Sequence, residues 1–376
     1  MSLNRRLAFV FLLAATWLAF TPMQALGATP DALADTPPLA PASHLRQAYA
    51  RPPAQWPPPW IDDGVAFVEL TSPPPRPLPA ATDRLKAEIG AKLFFDKRLS
   101  VDGSLSCASC HRPDQGWSVS TTVALGHAGQ PGKRHPPSLH TVASRSQWGW
   151  DGRGTSLPAR SLLPLTDPRE MANATLDAVW ARVLSDPGYA SALREMDGDA
   201  LVSPQLLGEL LAAFQKKLDH PTRFDRFLQG DTTRLNDQEI QGLHLFRTKA
   251  RCANCHFGPL LTDEKFHNLG ISFFGERSQD LGRYAATGRC EDVGRFRTAS
   301  LRHVSRTAPY MHNGLFDSLS GVVHLYARGG GEVRARNATE AAHPLYACAA
   351  SMSKHIQPLR LTPSEVAALL SFLKAL

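Results

Sequence analysis

Residues 104–117 read SLSCASCHRPDQGW, and residues 250–263 read ARCANCHFGPLLTD. Each contains C-x-x-C-H, the spacing at which two thiols can form thioethers with the vinyl groups of one macrocycle while the adjacent imidazole reaches its iron. Zinc or a redox dithiol would use C-x-x-C as well. Two complete copies behind an apolar N-terminal segment make attachment of c-type haem the better reading. Cys107, Cys110 and His111 are then assigned to one haem, and Cys252, Cys255 and His256 to a second, both covalently bound.

That N-terminal segment runs from the basic MSLNRR through LAFVFLLAATWLAF to the small residues ALGA. It has the order of a secretory signal peptide, assigned to residues 1–28 with cleavage after Gly27 or Ala28. The apolar run is short for a transmembrane helix, and an uncleaved anchor is the alternative. Either reading sends the remainder to the periplasm. Loss of Arg5 and Arg6 takes the formal charge from +7 to +5. No basic run with interleaved aromatics points to nucleic acid. The two cysteines outside the haem motifs, Cys290 and Cys348, read as a disulfide in an oxidising compartment, with two separate buried thiols as the alternative.

Outward from the motifs the pattern is helical. Leu85, Ile89 and Leu93 share one helical face leading into the first motif. Residues 176–186 and 203–219 read as helices, the second with Ser203 as N-cap and Pro204 at its first position. Asn236 and Glu239 form a capping-box pattern before Ile240, Leu243 and Phe246, and the helix they open runs toward the second motif. Thr362, Pro363 and Glu365 open a last helix. No alternating strand pattern of comparable strength appears. The chain has 376 residues, enough for two domains. Residues 29–79, with RPPAQWPPPW and TSPPPRPLP, read as an extended Pro-rich arm without helix, pinned by Trp56, Trp60, Val65 and Phe67. Residues 80–230 and 231–376 then hold one haem motif each, the boundary falling in LQGDTTRLND. The expected fold is mainly α, with long loops that wrap the haems.

The sixth iron position decides what each haem does, and 14 His and 6 Met leave too many candidates for spacing to choose among. The stretches LFFDKRLSVDGSLSCASCH, WGWDGRGTSL, DPREM, ARCANCHFGPLLTDEKFHNLG, DLGRYAATG and TAPYMHNG, in that order over about residues 85–376, resemble the bacterial diheme cytochrome c peroxidase and MauG family. The resemblance implies two class I cytochrome c-like haem domains facing a shared interface. It implies a peroxidatic N-terminal haem and an electron-transfer C-terminal haem. His127 matches the histidine that closes the peroxidatic haem in many resting members. Glu170 matches the distal-pocket glutamate that moves peroxide's protons. Arg160 stands where the family usually has glutamine, placed either to polarise the O–O bond or to pair with a carboxylate. Trp150 matches the tryptophan between the haems, with Trp148 a weaker candidate. Tyr326 matches the sixth-ligand position of the second haem, methionine in the peroxidases and tyrosine in MauG; Met311 is the rival in the same segment. A thioether favours ferrous iron, a phenolate the higher oxidation states.

The family often holds calcium between its domains. Thr307 and Pro309 match two contributors, but the third position is His135, a poor partner for a hard cation, which argues against calcium here. The resemblance implies reduction of hydrogen peroxide with electrons relayed between the haems from a small cytochrome c or cupredoxin. Alternatives are a MauG-like enzyme that uses high-valent haems to oxidise residues of a partner protein, and a plain electron-transfer cytochrome. Family members often form homodimers, although no interface is legible in the sequence.

Overall fold

The computed structural model describes residues 40–75, 78–197 and 203–376. The signal segment and the first part of the Pro-rich arm lie outside the described residues.

Helix formation follows the signals at the chain's polar–apolar junctions. Helix α1 is Ala42–Tyr49, α2 Ala81–Phe95, α3 Leu157–Thr166, α4 Leu176–Leu184, α5 Pro187–Asp197, α6 Gln205–Gln215, α7 Arg223–Leu228, α8 Asp237–Arg247, α9 Leu319–Ala327 and α10 Pro363–Leu373. Single-turn helices lie between them. The regular strand structure of the described residues is one short antiparallel ribbon, β1 (Phe266–Asn268) with β2 (Arg295–Arg297), Phe266 facing Arg297 and Asn268 facing Arg295. The chain is therefore mainly helical, as expected.

The expected capping box forms. Asn236 accepts from the Glu239 amide at 2.9 Å, and the Glu239 carboxylate accepts from the Asn236 amide at 2.8 Å. Thr362 and Glu365 do the same at the start of α10. Helix α6 starts one residue later than its expected first position, with Pro204 as N-cap and no side-chain cap. Its first turn is held by backbone bonds to the Ser203 and Pro204 carbonyls. It also stops at Gln215, and beyond Lys216 the amides of Lys217 and Leu218 fold back three residues instead of four.

Two helix pairs carry the core. Ile89, Leu93 and Phe94 of α2 are buried with Leu207, Leu210 and Leu211 of α6 and with Leu157 and Leu165 of α3. Ile240, Leu243 and Phe246 of α8 are buried with Leu369 and Phe372 of α10. The Phe372 ring meets Phe246 at 5.4 Å and Phe224 of α7 at 5.2 Å, edge to face. Each such side chain contributes roughly 1.5–3 kcal/mol on burial. In each pair a glycine sets the approach. A Cβ on Gly90 would stand 1.9 Å from the Leu210 carbonyl oxygen, and one on Gly242 2.1 Å from that of Ala368. The same device thus precedes each haem motif.

The Pro-rich arm departs from expectation. It contains the helix α1, because residues 42–49 form a proline-free window, ASHLRQAY, flanked by Pro41 and Pro52. Averaged over fifty residues, the proline content hides this window. Tyr49 and Trp56 are buried, with rings 5.0 Å apart, and Phe67 packs on Phe257 at 5.8 Å. Trp60 instead leaves its side chain about half exposed and is held by its amide on the Arg247 carbonyl, 2.9 Å. Cys290 and Cys348 form the expected disulfide.

Candidate functional site

The first C-x-x-C-H turn is a single helical turn, Cys107–Cys110, closed by a reciprocal Ser106–Ser109 capping box. His111 follows it. The His111 Nδ1 stands 3.0 Å from the Trp117 carbonyl oxygen. A carbonyl only accepts, so Nδ1 carries the proton and Nε2 keeps its lone pair. The second motif repeats the device: His256 Nδ1 meets the Leu261 carbonyl at 3.0 Å. Burial pushes the His111 pKa down to about 4 and lowers that of His256, so both imidazoles are neutral at pH 7, the form that ligates metal. Burial also raises the thiols, Cys110 to about 11 and Cys107, Cys252 and Cys255 to about 12.

Each motif faces a cavity. The first measures about 870 Å³ and is lined by Cys107, Cys110, His111, Trp148, Arg160 and Glu170. The second, about 1760 Å³ with its mouth, is lined by Cys252, Cys255, His256, Trp150, Met311 and Tyr326. Four free thiols, two Nε2 lone pairs and two mainly apolar chambers fit two c-type haems. Two residues that the sequence reading missed add to the fit. Arg145 and Arg297 are buried, at 9% and 2% exposure. Neither forms an ion pair among the described residues, and burial lowers their pKa values to about 9 and about 10. Both line the second cavity, and Arg145 lines the first as well. Buried unpaired guanidiniums call for carboxylates, which haem propionates would supply. No local pattern marks either residue.

Glu170 is placed by the turn that ends α3, its amide bonded to the Asp167 carbonyl at 3.0 Å. Its carboxyl is half-buried, and burial raises its pKa above the usual carboxylate value. Arg160 opposes that rise and Asp167 adds to it. Arg160, on the same helix, forms no ion pair among the described residues and lines the cavity with Glu170. His127 stands elsewhere. Its amide donates to the Glu170 carbonyl at 2.8 Å, but its Nδ1 lies 3.0 Å from Asp102 Oδ2, and it is not among the residues lining the first cavity.

The WGW segment divides between the sites. Trp148 donates to the Val142 carbonyl at 3.1 Å on the side of the first cavity, and Trp150 to the His135 carbonyl at 2.8 Å on the side of the second. The Gly149 carbonyl between them accepts from Arg297 Nε at 2.9 Å. Tyr326 and Val322 project from α9 on one face into the second cavity. The Tyr326 hydroxyl has no hydrogen-bond partner among the described residues, and burial, then the nearby Cys255 and Cys252, raise its pKa. Met311 borders the same space from a left-handed backbone position, φ 73°. His135, Thr307 and Pro309 also come together at this cavity. The His135 ring there bonds Ser118 Oγ at 2.9 Å and faces the Thr121 and Thr122 carbonyls at 3.2 and 3.3 Å. Beside Thr307 and Pro309 the fold thus presents an imidazole, a poor partner for a hard cation.

The arm completes the second site. Asn254, inside the C-A-N-C-H turn, accepts from the Asp62 amide at 2.7 Å and donates to the Trp60 carbonyl at 3.2 Å. Asp62 also pairs with Arg251 and with His355. The sequence reading treated this arm as a surface attachment only.

Residues 84–233 match the sequence model of a family described as di-haem cytochrome c peroxidase. The chain is 38% identical over 249 residues to the methylamine utilization protein MauG of Methylorubrum extorquens, covering 65% of this chain and 69% of the relative. It is 31% identical over 339 residues to the cytochrome-c peroxidase IdrP1 of a Pseudomonas species, covering 81% and 84%. Among solved structures it superposes on a MauG-like protein associated with microbial copper homeostasis, with a TM-score of 0.68 at 29% identity, over 84% of this chain and 95% of that one. The chain belongs to the di-haem cytochrome c peroxidase and MauG family of oxidoreductases.

Proposed function

We propose that this protein reduces hydrogen peroxide to water in the periplasm, H2O2 + 2 H+ + 2 e− → 2 H2O, with the N-terminal site (residues 80–230) as the reacting one and the C-terminal site (231–376) as the electron reservoir. The observation that carries this reading is the grouping of Glu170 and Arg160 in the cavity of Cys107, Cys110 and His111, with His127 paired to Asp102 outside it. Haem held by Cys107, Cys110 and His111 would supply the iron at which the O–O bond breaks, and haem held by Cys252, Cys255 and His256 the second redox centre.

The protein's own part is proton and electron management. Glu170 takes the proton from the near oxygen of peroxide and returns it to the far one, a task suited to a carboxyl whose pKa burial has raised. Arg160 limits that rise and offers charged donors to the leaving oxygen. His111 and His256 hold their Nε2 lone pairs forward through their carbonyl-anchored Nδ1–H groups. Trp148 and Trp150, two residues apart and facing different cavities, form the aromatic link between the sites. Electrons come from a small cytochrome c or cupredoxin.

A second reading takes the electrons from side chains of a partner protein. Tyr326 favours it: an unpartnered phenol in the second cavity suits a hard anionic ligand that disfavours reduction of the iron. The EPR spectrum of the fully oxidised protein, before and after one-electron reduction, tests both. A high-spin site present without reduction, beside a low-spin His/Tyr site, supports an open first site with Tyr326 closing the second. Two low-spin sites, one opening only on reduction, place His127 on the first iron and remove the open-site reading.

A further inference from the structure

His140, His220 and His303 come from three separate stretches: the segment behind the first cavity, the turn between α6 and α7, and the segment before the single-turn helix Val304–Arg306. In the fold their rings converge. The centroids of His140 and His303 are 4.1 Å apart, those of His220 and His303 4.3 Å, and those of His140 and His220 5.3 Å. One nitrogen from each ring lies within 4.8 Å of the other two. None of the three lines either haem cavity.

Packing alone does not account for this grouping. His140 is 2% exposed, and its Nδ1 is buried with no hydrogen-bond partner. The nearby carboxylate oxygen of Asp219 stands 4.0 Å away, too far for a hydrogen bond. An orphaned imidazole nitrogen in the interior requires an explanation. His303, 7% exposed, places Nε2 3.1 Å from the His220 carbonyl. That carbonyl can only accept, so the proton sits on Nε2 and Nδ1 is left with its lone pair. Burial, and then the neighbouring rings, push the pKa of His140 down to about 3 and that of His303 to about 4. Both are therefore unprotonated at neutral pH.

We propose that His140, His220 and His303 form a binding site for a divalent first-row transition ion, zinc or copper, separate from both haem sites. Imidazole is a preferred ligand for these ions, which Mg2+ and Ca2+ do not share. Zinc–nitrogen bonds are about 2.0–2.1 Å long, which sets tetrahedral donors roughly 3.3 Å apart. The present spread of up to 4.8 Å is wider than that, so all three side chains would draw together on the ion when it binds. Asp219 stands beside the cluster, its carboxylate accepting from the Thr141 amide. The ion would staple together segments near residues 140, 220 and 303, and through the His303 amide, bonded to the Leu376 carbonyl at 2.7 Å, the end of α10's extension.

The test uses the haem-loaded, tag-free protein, stripped with EDTA and desalted. Zn2+ is titrated by calorimetry, and metal content is measured against haem iron after gel filtration. Cu2+ serves as the EPR probe. The expected result is equimolar zinc retained per chain, and a Cu2+ signal with nitrogen hyperfine coupling. His220→Ala, at an exposed position, should weaken Zn2+ binding at least about tenfold while both haem absorption spectra stay unchanged. His140→Leu should abolish it. Failure of the wild type to retain either metal overturns the proposal, as does wild-type affinity in both variants. Neither outcome bears on peroxide turnover, because no residue of the cluster touches a haem cavity.

Discussion

Replacing Glu170 by glutamine removes a proton carrier and keeps the side-chain volume. In the wild type, burial raises the carboxyl pKa above the ordinary carboxylate value, while the Arg160 charge holds it back. Peroxide must lose a proton to Glu170, so turnover should rise with pH through that pKa and flatten above it. In Glu170→Gln this acid limb should disappear. A positioned general base contributes typically 10²–10⁴-fold, about 3–5 kcal/mol in barrier height, and the expected fall in peroxide turnover lies in that range. Stability should move the other way. The folded-state pKa of Glu170 lies above its unfolded value, so the stability it contributes is fully present below the unfolded pKa and is lost as pH rises through the folded one. Above that folded-state pKa the ionised carboxylate is a net burden, and glutamine removes it. The variant should therefore melt no lower than the wild type at pH 7. Stopped-flow peroxide consumption across pH, with haem content checked for each preparation, decides the matter. Arg160→Gln provides the companion test, since loss of the opposing charge should move the acid limb to higher pH. A Glu170→Gln loss smaller than about tenfold, or an acid limb that survives in it, refutes the assignment.

Tyr326→Phe should change the low-spin EPR signal of the second haem and leave the first unaltered; an identical spectrum removes tyrosine as the ligand. Tyr326→Met should raise the reduction potential of that haem, because a thioether favours the ferrous state, and redox titration reads this directly. Arg302 and Asp225 form an ion pair whose side chains are each only 3% exposed, and Arg302 also donates to the Pro259 and Thr71 carbonyls. Arg302→Met should lower unfolding free energy by about 3–5 kcal/mol in urea titrations, and a loss below about 1 kcal/mol would mean the pair is not buried in solution. Gly242→Ala drives a Cβ into the Ala368 carbonyl; a destabilisation of about 1–3 kcal/mol is expected, and an unchanged denaturation midpoint would show that α8 and α10 do not pack this closely.

What could be read from the chain in advance was whatever is encoded within a few residues. The capping boxes at Asn236 and Thr362, the apolar face of α2 and the C-x-x-C-H turns are local patterns, and local hydrogen bonds and helical spacing realise them. The pairing of Cys290 with Cys348 was legible for a different reason: once four cysteines were assigned to haem, two remained. Helix α1 was lost by averaging, since proline on either side of residues 42–49 says nothing about the window itself. The WGW segment was legible as an aromatic pair but not as a divider, because which cavity each indole meets depends on Val142 and His135, residues that the fold brings alongside.

The groups that remained hidden are those whose meaning comes only from long-range packing. Arg145 in ASRSQW and Arg297 in GRFRTA carry no motif, and their role emerges only in the fold, where both are buried without an ion pair among the described residues. Asn254 sits inside a motif whose intervening residues are nominally free, yet it ties the arm to the second haem site through Asp62 and Trp60. His140, His220 and His303 are each separated by about eighty positions, a spacing at which no helical or strand period relates them. A single physical rule connects these cases. Buried charges without a counter-charge, and buried polar atoms without a hydrogen-bond partner, mark where a partner from outside is to be found. Applied to Arg145 and Arg297 the rule points to haem carboxylates, applied to the Tyr326 hydroxyl it points to iron, and applied to His140 Nδ1 it points to a further ion. Tyr326 and His140 stand or fall on separate measurements, so the rule itself is open to test within this one chain.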